Sequence, residues 1–267
     1  MSDIGFSRYV AVGDSQTEGL WDGDDTSGVV GFADRLAAKL NSLQPGLLYA
    51  NLAVRGRQIV DVLNDQLPTA LAMEPDLITV CIGMNDVTRP GGEFTTALAD
   101  LGEIYVRLAD SGATVVTTTF PNVAKMLPVG RFIAGRLLQV NDVIRNAAHS
   151  HGFGLVDLYH APSMSEAQTW SYDRMHASTE GHILFAEAAA EALDLPGSSS
   201  AWTHPRGDGE RATVWERTYA QVQWTRGLFI PWLWRHARGR SSGDGLQPKY
   251  PVLQPVSSFV QDAHRSA

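Results

Sequence analysis

Tyr9-Val10-Ala11-Val12-Gly13-Asp14-Ser15-Gln16-Thr17-Glu18-Gly19 is the stretch from which the rest of the chain can be read. Four apolar residues, two of them β-branched, suit a buried strand and are too few for a helix, and the glycine that follows stops the run. Next comes a tight strand-to-helix turn that carries a serine. A serine so placed has its hydroxyl exposed. Its backbone N–H can face a developing oxyanion, helped by the positive end of the helix behind it. Taken alone, the turn is equally consistent with Ser15 serving as a helix cap.

Apolar runs of the same kind recur at residues 47–52, 77–82, 114–119 and 154–158. Helical spacing fills the intervals at 32–43, 59–72, 94–111 and 133–151, and again at 179–193. Pro75 stops one helix just before a strand, and Gly112 and Gly152 stand where helices should end. Strands alternating with helices predict the α/β class, here a three-layer α/β/α sandwich around a five-stranded parallel sheet. One domain over residues 1–195 accounts for this pattern. From about Pro196 the composition turns to Gly, Ser, Pro, Arg and Trp without further alternation, so 196–267 is expected to be a Trp-rich, helical carboxyl-terminal extension.

Open α/β sheets bind ligands beyond the carboxyl ends of their strands. That rule singles out four segments. The first is the Ser15 turn. The second is Asn51-Leu52-Ala53-Val54-Arg55-Gly56, whose glycine lets a backbone N–H approach a ligand closely. The third is Gly83-Met84-Asn85-Asp86, where Asn85 offers a neutral side-chain donor, or else caps the segment that follows. The fourth is Tyr172-Asp173-Arg174-Met175-His176. A serine needs a base whose pKa lies near the working pH, and a carboxylate beside that base fixes its tautomer. Asp173 and His176 can supply both from one loop. Each segment has a bland reading by itself, but all four fall where the fold would place its site.

Over residues 9–193 the sequence resembles the SGNH hydrolases, the superfamily of the GDSL esterases and lipases, and has a counterpart for each of the four family blocks. The resemblance implies a flavodoxin-like sandwich and a serine esterase. It makes Ser15 the nucleophile and, through its N–H, an oxyanion donor. Gly56 would be a second backbone donor and Asn85 a side-chain donor. His176 would be the base and Asp173 its orienting carboxylate. Gln16 stands where the short motif has leucine, a departure expected to have no bearing on the chemistry. No metal or organic cofactor is implied. The expected substrate is a small-molecule carboxylic ester of small to medium acyl length, such as an O-acyl sugar or a lipid. An acyltransferase using the same acyl-enzyme, or a binding protein on a retired hydrolase fold, stays open as an alternative; the intact set of residues argues against the latter.

The remaining features narrow the field. A formal net charge of -8 argues against nucleic acid as a partner. No run approaches the length of a membrane span, and residues 1–8 lack the basic start and apolar stretch of a secretory signal, so a cytoplasmic location is expected. The single cysteine, Cys81, reads as core. Asp22-Gly23-Asp24-Asp25 lacks the further ligands of a calcium loop and reads as a solvated loop, with Trp21 as a candidate wall of the acyl or alcohol pocket. His149, His151 and His160 lack zinc-ligand spacing, and His182 reads as a packing or supporting residue. In the extension, Val214, Trp215, Thr218, Tyr219 and Val222 fall at helical spacing, which suggests an amphipathic arm docking on the body or on a second subunit, hence a homo-oligomer as one possibility. The alternative is an interfacial membrane anchor over residues 227–240, with Phe229, Trp232 and Trp234 flanked by arginines. The tail also resembles those of intracellular actinobacterial members of the family.

Overall fold

The computed structural model of the chain describes residues 5–24, 26, 28–89, 93–126, 130–205 and 243–256. Strand β1 (Arg8–Gly13) leads into the four-residue helix α1 (Ser15–Glu18), a small hairpin of β2 (Gly23–Asp24) and β3 (Gly28–Val29), and helix α2 (Phe32–Leu43). Strand β4 (Leu48–Asn51) is followed by α3 (Ile59–Asp61), a π-helical turn (Val62–Gln66) and α4 (Leu67–Ala72), which run on as one helical stretch. The π turn ends just before Pro68, whose missing N–H breaks the ordinary α ladder there. Then come β5 (Leu77–Cys81), α5 (Met84–Thr88), α6 (Phe94–Asp110), β6 (Thr114–Thr118), α7 (Val123–Met126), α8 (Gly130–His151), β7 (Gly154–Val156), α9 (Thr179–Ala192) and finally β8 (Tyr250–Pro255).

The main sheet runs β7-β6-β5-β1-β4-β8. Its first five members are mutually parallel, with Val10 paired to Ala50 on one side and to Ile78 on the other. The central strands β1 and β5 are buried on both faces, which is why their sequences are nearly continuous apolar runs that do not alternate; the one hydroxyl in β5, on Thr79, is satisfied by Tyr9. Helix α2 packs on α9, while α3, α6 and α8 pack on one another, giving a helical layer on each face. This is the expected sandwich. The chain moves outward from β1 in one direction to β4 and in the other to β5, so the crevice at the carboxyl end of β1 lies at the topological switch point.

The expectation of a five-stranded, wholly parallel sheet is corrected by β8. This strand, from the extension expected to be helical, pairs antiparallel with the exposed edge of β4, setting Pro255 opposite Leu48 and Tyr250 opposite Asn51. Pro251 and Pro255 are tolerated because an edge strand has a side with no ladder to complete. Just before β8, Lys249 extends its ammonium to the Asp34 carboxylate and to the carbonyls of Glu18 and Val29, fastening the extension to α1 and α2. Upstream, the buried Trp202 indole N–H donates to Glu191 on α9. The arm at 214–222, the anchor reading of 227–240 and the arginines of 235–240 lie outside the described residues.

Lys249→Ala would leave the largely buried Asp34 carboxylate without its cation. We expect it to cost about 2 kcal/mol of stability, a fall of roughly 4–8 °C in Tm for a domain of this size. Thermal unfolding by circular dichroism measures this, and an unchanged Tm would mean that β8 is held by its ladder alone.

Candidate active site

The turn that presents Ser15 depends on Gly13. Its φ is +150°, and a Cβ there would stand 2.3 Å from the Cys81 carbonyl oxygen and 2.4 Å from Thr17 Oγ1, so no larger residue fits. Gln66 closes the turn from below. Its Oε1 accepts the Gly13 N–H at 2.8 Å, and its Nε2 donates to the Gly13 carbonyl at 2.9 Å. Asp14 caps α1 by accepting the Gln16 N–H at 3.2 Å. Ser15 is thus the first residue of a rigidly framed helical turn.

His176 reaches Ser15 from a loop closed by a bridge between Trp170 and Ala177. Within it Arg174 adopts a left-handed φ of +58°, and the Ser171 N–H donates to the His176 carbonyl at 2.9 Å. Asp173 organises the loop. One carboxylate oxygen accepts from Ser171 Oγ, Met175 N–H and His176 N–H at 2.8, 2.9 and 3.0 Å. The other faces His176 Nδ1 at 2.6 Å, and His176 Nε2 lies 2.8 Å from Ser15 Oγ. Burial alone would raise the Asp173 pKa, but the hydrogen bond and charge of His176 and the loop N–H groups outweigh it and hold the carboxyl well below the usual range. An ionised Asp173 can only accept, so the Nδ1 position carries the proton and Nε2 faces the hydroxyl with its lone pair.

Gly56 and Asn85 arrive from the ends of β4 and β5. Gly56 has a φ of +77°, a conformation that favours glycine. The residue before it, Arg55, donates its backbone N–H to Glu18 at 2.6 Å and its guanidinium to the same carboxylate at 2.8 and 3.0 Å. Both side chains are only 11% exposed, so the pair ties the Gly56 loop firmly to the helix that begins with Ser15. Asn85 Nδ2 donates to the Arg57 carbonyl at 2.8 Å and, less closely, to Asp14 Oδ2 at 3.2 Å. Of the five residues singled out from sequence, Ser15, His176 and Asp173 are joined directly, while Asn85 is linked to the same turn through Asp14 and Gly56 through Arg55 and Glu18.

Other expectations are adjusted. Asp22 is not solvated: it is buried, pairs with Arg35 at 2.6 Å and accepts from Thr179 Oγ1 at 2.8 Å, joining α2 to the start of α9. Trp21 is 44% exposed in a left-handed conformation. His182 is fully buried. Its Nδ1 accepts the Phe32 N–H and its Nε2 faces the Leu20 carbonyl, and burial pushes its pKa down to about 4, as suits a neutral packing residue. Cys81 is buried, and burial pushes its thiol up, away from thiolate chemistry. A second histidine–carboxylate pair, His160–Asp157, has its carboxylate committed to Thr119 and Arg145 as well. Among the described residues no group of three His, Cys, Asp or Glu side chains is placed to hold a metal ion, and no helix is long and apolar enough to cross a membrane.

Two buried carboxyls beside the site give a pH signature. Burial pushes Asp86 up to about 7, against the pull of the Ile59 N–H, and pushes Asp14 up to about 6, against the pull of the Gln16 N–H and of His176. Between about pH 4 and pH 7 the folded state holds protons that the unfolded chain has lost, so stability falls as pH rises through that window. Asp86→Asn keeps an acceptor for Ile59. It is expected to flatten the curve, gaining on the order of 2–4 kcal/mol at pH 8 relative to its effect at pH 4. Thermal melts of both proteins across that range test this, and parallel curves would contradict it.

The profile of the GDSL-like lipase/acylhydrolase family matches residues 11–184, well over half of the chain. Among solved structures, an α/β hydrolase enzyme from the metagenome of Lake Arreo shares 23% identity over 70% of this chain and 95% of its own, with a TM-score of 0.59. The acetylxylan esterase of Geobacillus stearothermophilus shares 19% identity over 73% and 97%, with a TM-score of 0.57. A GDSL-like lipase from Parabacteroides merdae shares 19% over 71% and 96%, with a TM-score of 0.59. At these identities the structural likeness establishes the fold. No curated protein matches the chain significantly.

Proposed function

Because the chain belongs to the GDSL-like lipase/acylhydrolase family and is a carboxylic ester hydrolase, we propose that Ser15, His176 and Asp173 are its catalytic triad and that Ser15 N–H, Gly56 N–H and Asn85 form its oxyanion hole. The observation that carries this reading is the unbroken relay from Ser15 Oγ to His176 Nε2 at 2.8 Å and from His176 Nδ1 to Asp173 Oδ2 at 2.6 Å.

Ser15 Oγ attacks the ester carbonyl as its proton passes to His176 Nε2. Asp173 stabilises the imidazolium. The carbonyl oxygen becomes an oxyanion beside the Ser15 and Gly56 N–H groups and the Asn85 amide, where fixed dipoles need no reorganisation. Both Asn85 N–H bonds are occupied in the resting state. The longer one, to Asp14, is the bond given up to the oxyanion, while the shorter one to the Arg57 carbonyl keeps the amide aimed. His176 protonates the departing alcohol, water repeats the sequence on the acyl-enzyme, and the acid is released.

The substrate reading is a small-molecule ester with a small to medium acyl group, including O-acyl sugars; the acetylxylan esterase likeness is in keeping with it. Location in the cytoplasm is part of the same reading. The test is a panel of p-nitrophenyl esters from acetate to palmitate, run with and without a sugar acceptor. Release of p-nitrophenol with free acid as the acyl product is expected. A new ester on the acceptor would make the protein an acyltransferase, and silence across the panel would contradict the proposal.

A further inference from the structure

Gln16 follows the serine, where its side chain is not needed to shape the turn, yet it makes two hydrogen bonds across the site. Its Nε2 donates to the Met175 carbonyl at 3.0 Å, and its Oε1 accepts the Ala177 N–H at 3.2 Å. These are the backbone groups on either side of His176. The histidine's own N–H is held by Asp173 and its own carbonyl by Ser171. The peptide around the histidine is therefore fixed at four points. Two come from within its loop, and two come from the residue next to the serine, so the amide behaves as one residue of an adjoining strand would, pairing with the groups that flank a neighbour.

We propose that Gln16 is a positioning residue that sets the distance and angle between Ser15 and His176 by clasping the peptide bonds on both sides of the histidine. This rests on the catalytic reading of Ser15 and His176 given above. It departs from the expectation that this position has no bearing on the chemistry. A leucine there, as in the short family motif, has no donor or acceptor, so the Met175 carbonyl and the buried Ala177 N–H would lose these partners. The Ser15 turn and the His176 loop come from opposite ends of the domain sequence, 161 residues apart. They move as one body only if something other than the reacting bond joins them. A hydrogen bond to the serine hydroxyl cannot serve, because catalysis breaks it on every turnover.

The test compares wild type, Gln16→Leu, Gln16→Glu and Ser15→Ala on one ester. Displacing a reacting group by about 1 Å can cost 10²-fold, so Gln16→Leu is expected to lower kcat roughly 10- to 100-fold with KM within about twofold. Gln16→Glu keeps the acceptor for Ala177, loses the donor to Met175 and places a negative charge near His176. Because that charge favours the protonated imidazole, the acidic limb of its kcat/KM profile should move to higher pH. A merely structural role would lower Tm while leaving the kcat of folded Gln16→Leu near that of wild type, and the shifted limb in Gln16→Glu checks that position 16 faces His176. If Gln16→Leu fails to fold, the kcat of Gln16→Glu at its pH optimum decides: this variant conserves volume but loses the donor to Met175, so kcat should fall, and an unchanged value overturns the proposal. Unchanged kcat in Gln16→Leu, or an unmoved acidic limb in Gln16→Glu, with Ser15→Ala inactive, overturns the proposal and leaves the triad standing. An active Ser15→Ala overturns both.

Discussion

Ser15→Ala is expected to hydrolyse esters at least about 10⁴-fold more slowly than wild type, and His176→Ala to do the same. In the proposed mechanism the serine supplies the bond to the acyl group and the histidine moves the proton both into and out of the tetrahedral intermediate, so neither step has a substitute. Because the two act as a unit, the double variant should be no slower than the slower single variant. What remains would come from binding and oxyanion stabilisation alone. A steady-state comparison of kcat for the three variants checks this. Additive losses would mean that serine and histidine act in separate steps. Folding is not at issue in the serine variant, since Ser15 Oγ bonds only to the histidine among the hydrogen bonds that define the turn.

The second large effect is at Asn85. Asn85→Ala is expected to lower kcat by about 10²- to 10³-fold while KM changes little, because the amide meets a charge that exists fully only in the transition state. The same change releases the Arg57 carbonyl and Asp14 Oδ2. The loss must therefore be measured well below the Tm of the variant, where the loop that carries Gly56 is still held by Glu18 and Arg55. A drop expressed mainly in KM would indicate that Asn85 binds the substrate ground state and is not an oxyanion donor.

The parts of the molecule that could be read from sequence are those set by local pattern. The helix predicted at 32–43 is α2 (Phe32–Leu43), and each predicted strand overlaps an observed one, because a buried parallel strand is a near-continuous run of apolar and β-branched residues and a packed helix shows its period. Ser15, Gly56, Asn85 and the Asp173–His176 pair, the residues of the proposed site, could be singled out because the fold places ligand sites at strand ends. What escaped depends on partners far along the chain. Strand β8 carries two prolines and no alternation; only the free edge of β4, some 200 residues earlier, makes it a strand. Glu18 and Arg55 are ordinary charged residues until folding buries them against each other across 37 positions. Asp22 sat in an acidic run and read as solvated, but Arg35 and Thr179 draw it inward. Gln16 gave a signal, a polar residue where leucine is usual, but its purpose shows only beside Met175 and Ala177.

The central claim, that Ser15 becomes covalently acylated with His176 as its base, is tested most directly by reacting the protein with a fluorophosphonate and mapping the adduct by peptide mass spectrometry. One adduct per chain on Ser15, formed much more slowly in His176→Ala, is the predicted result. An adduct on another residue, or none while the protein still hydrolyses esters, would contradict it.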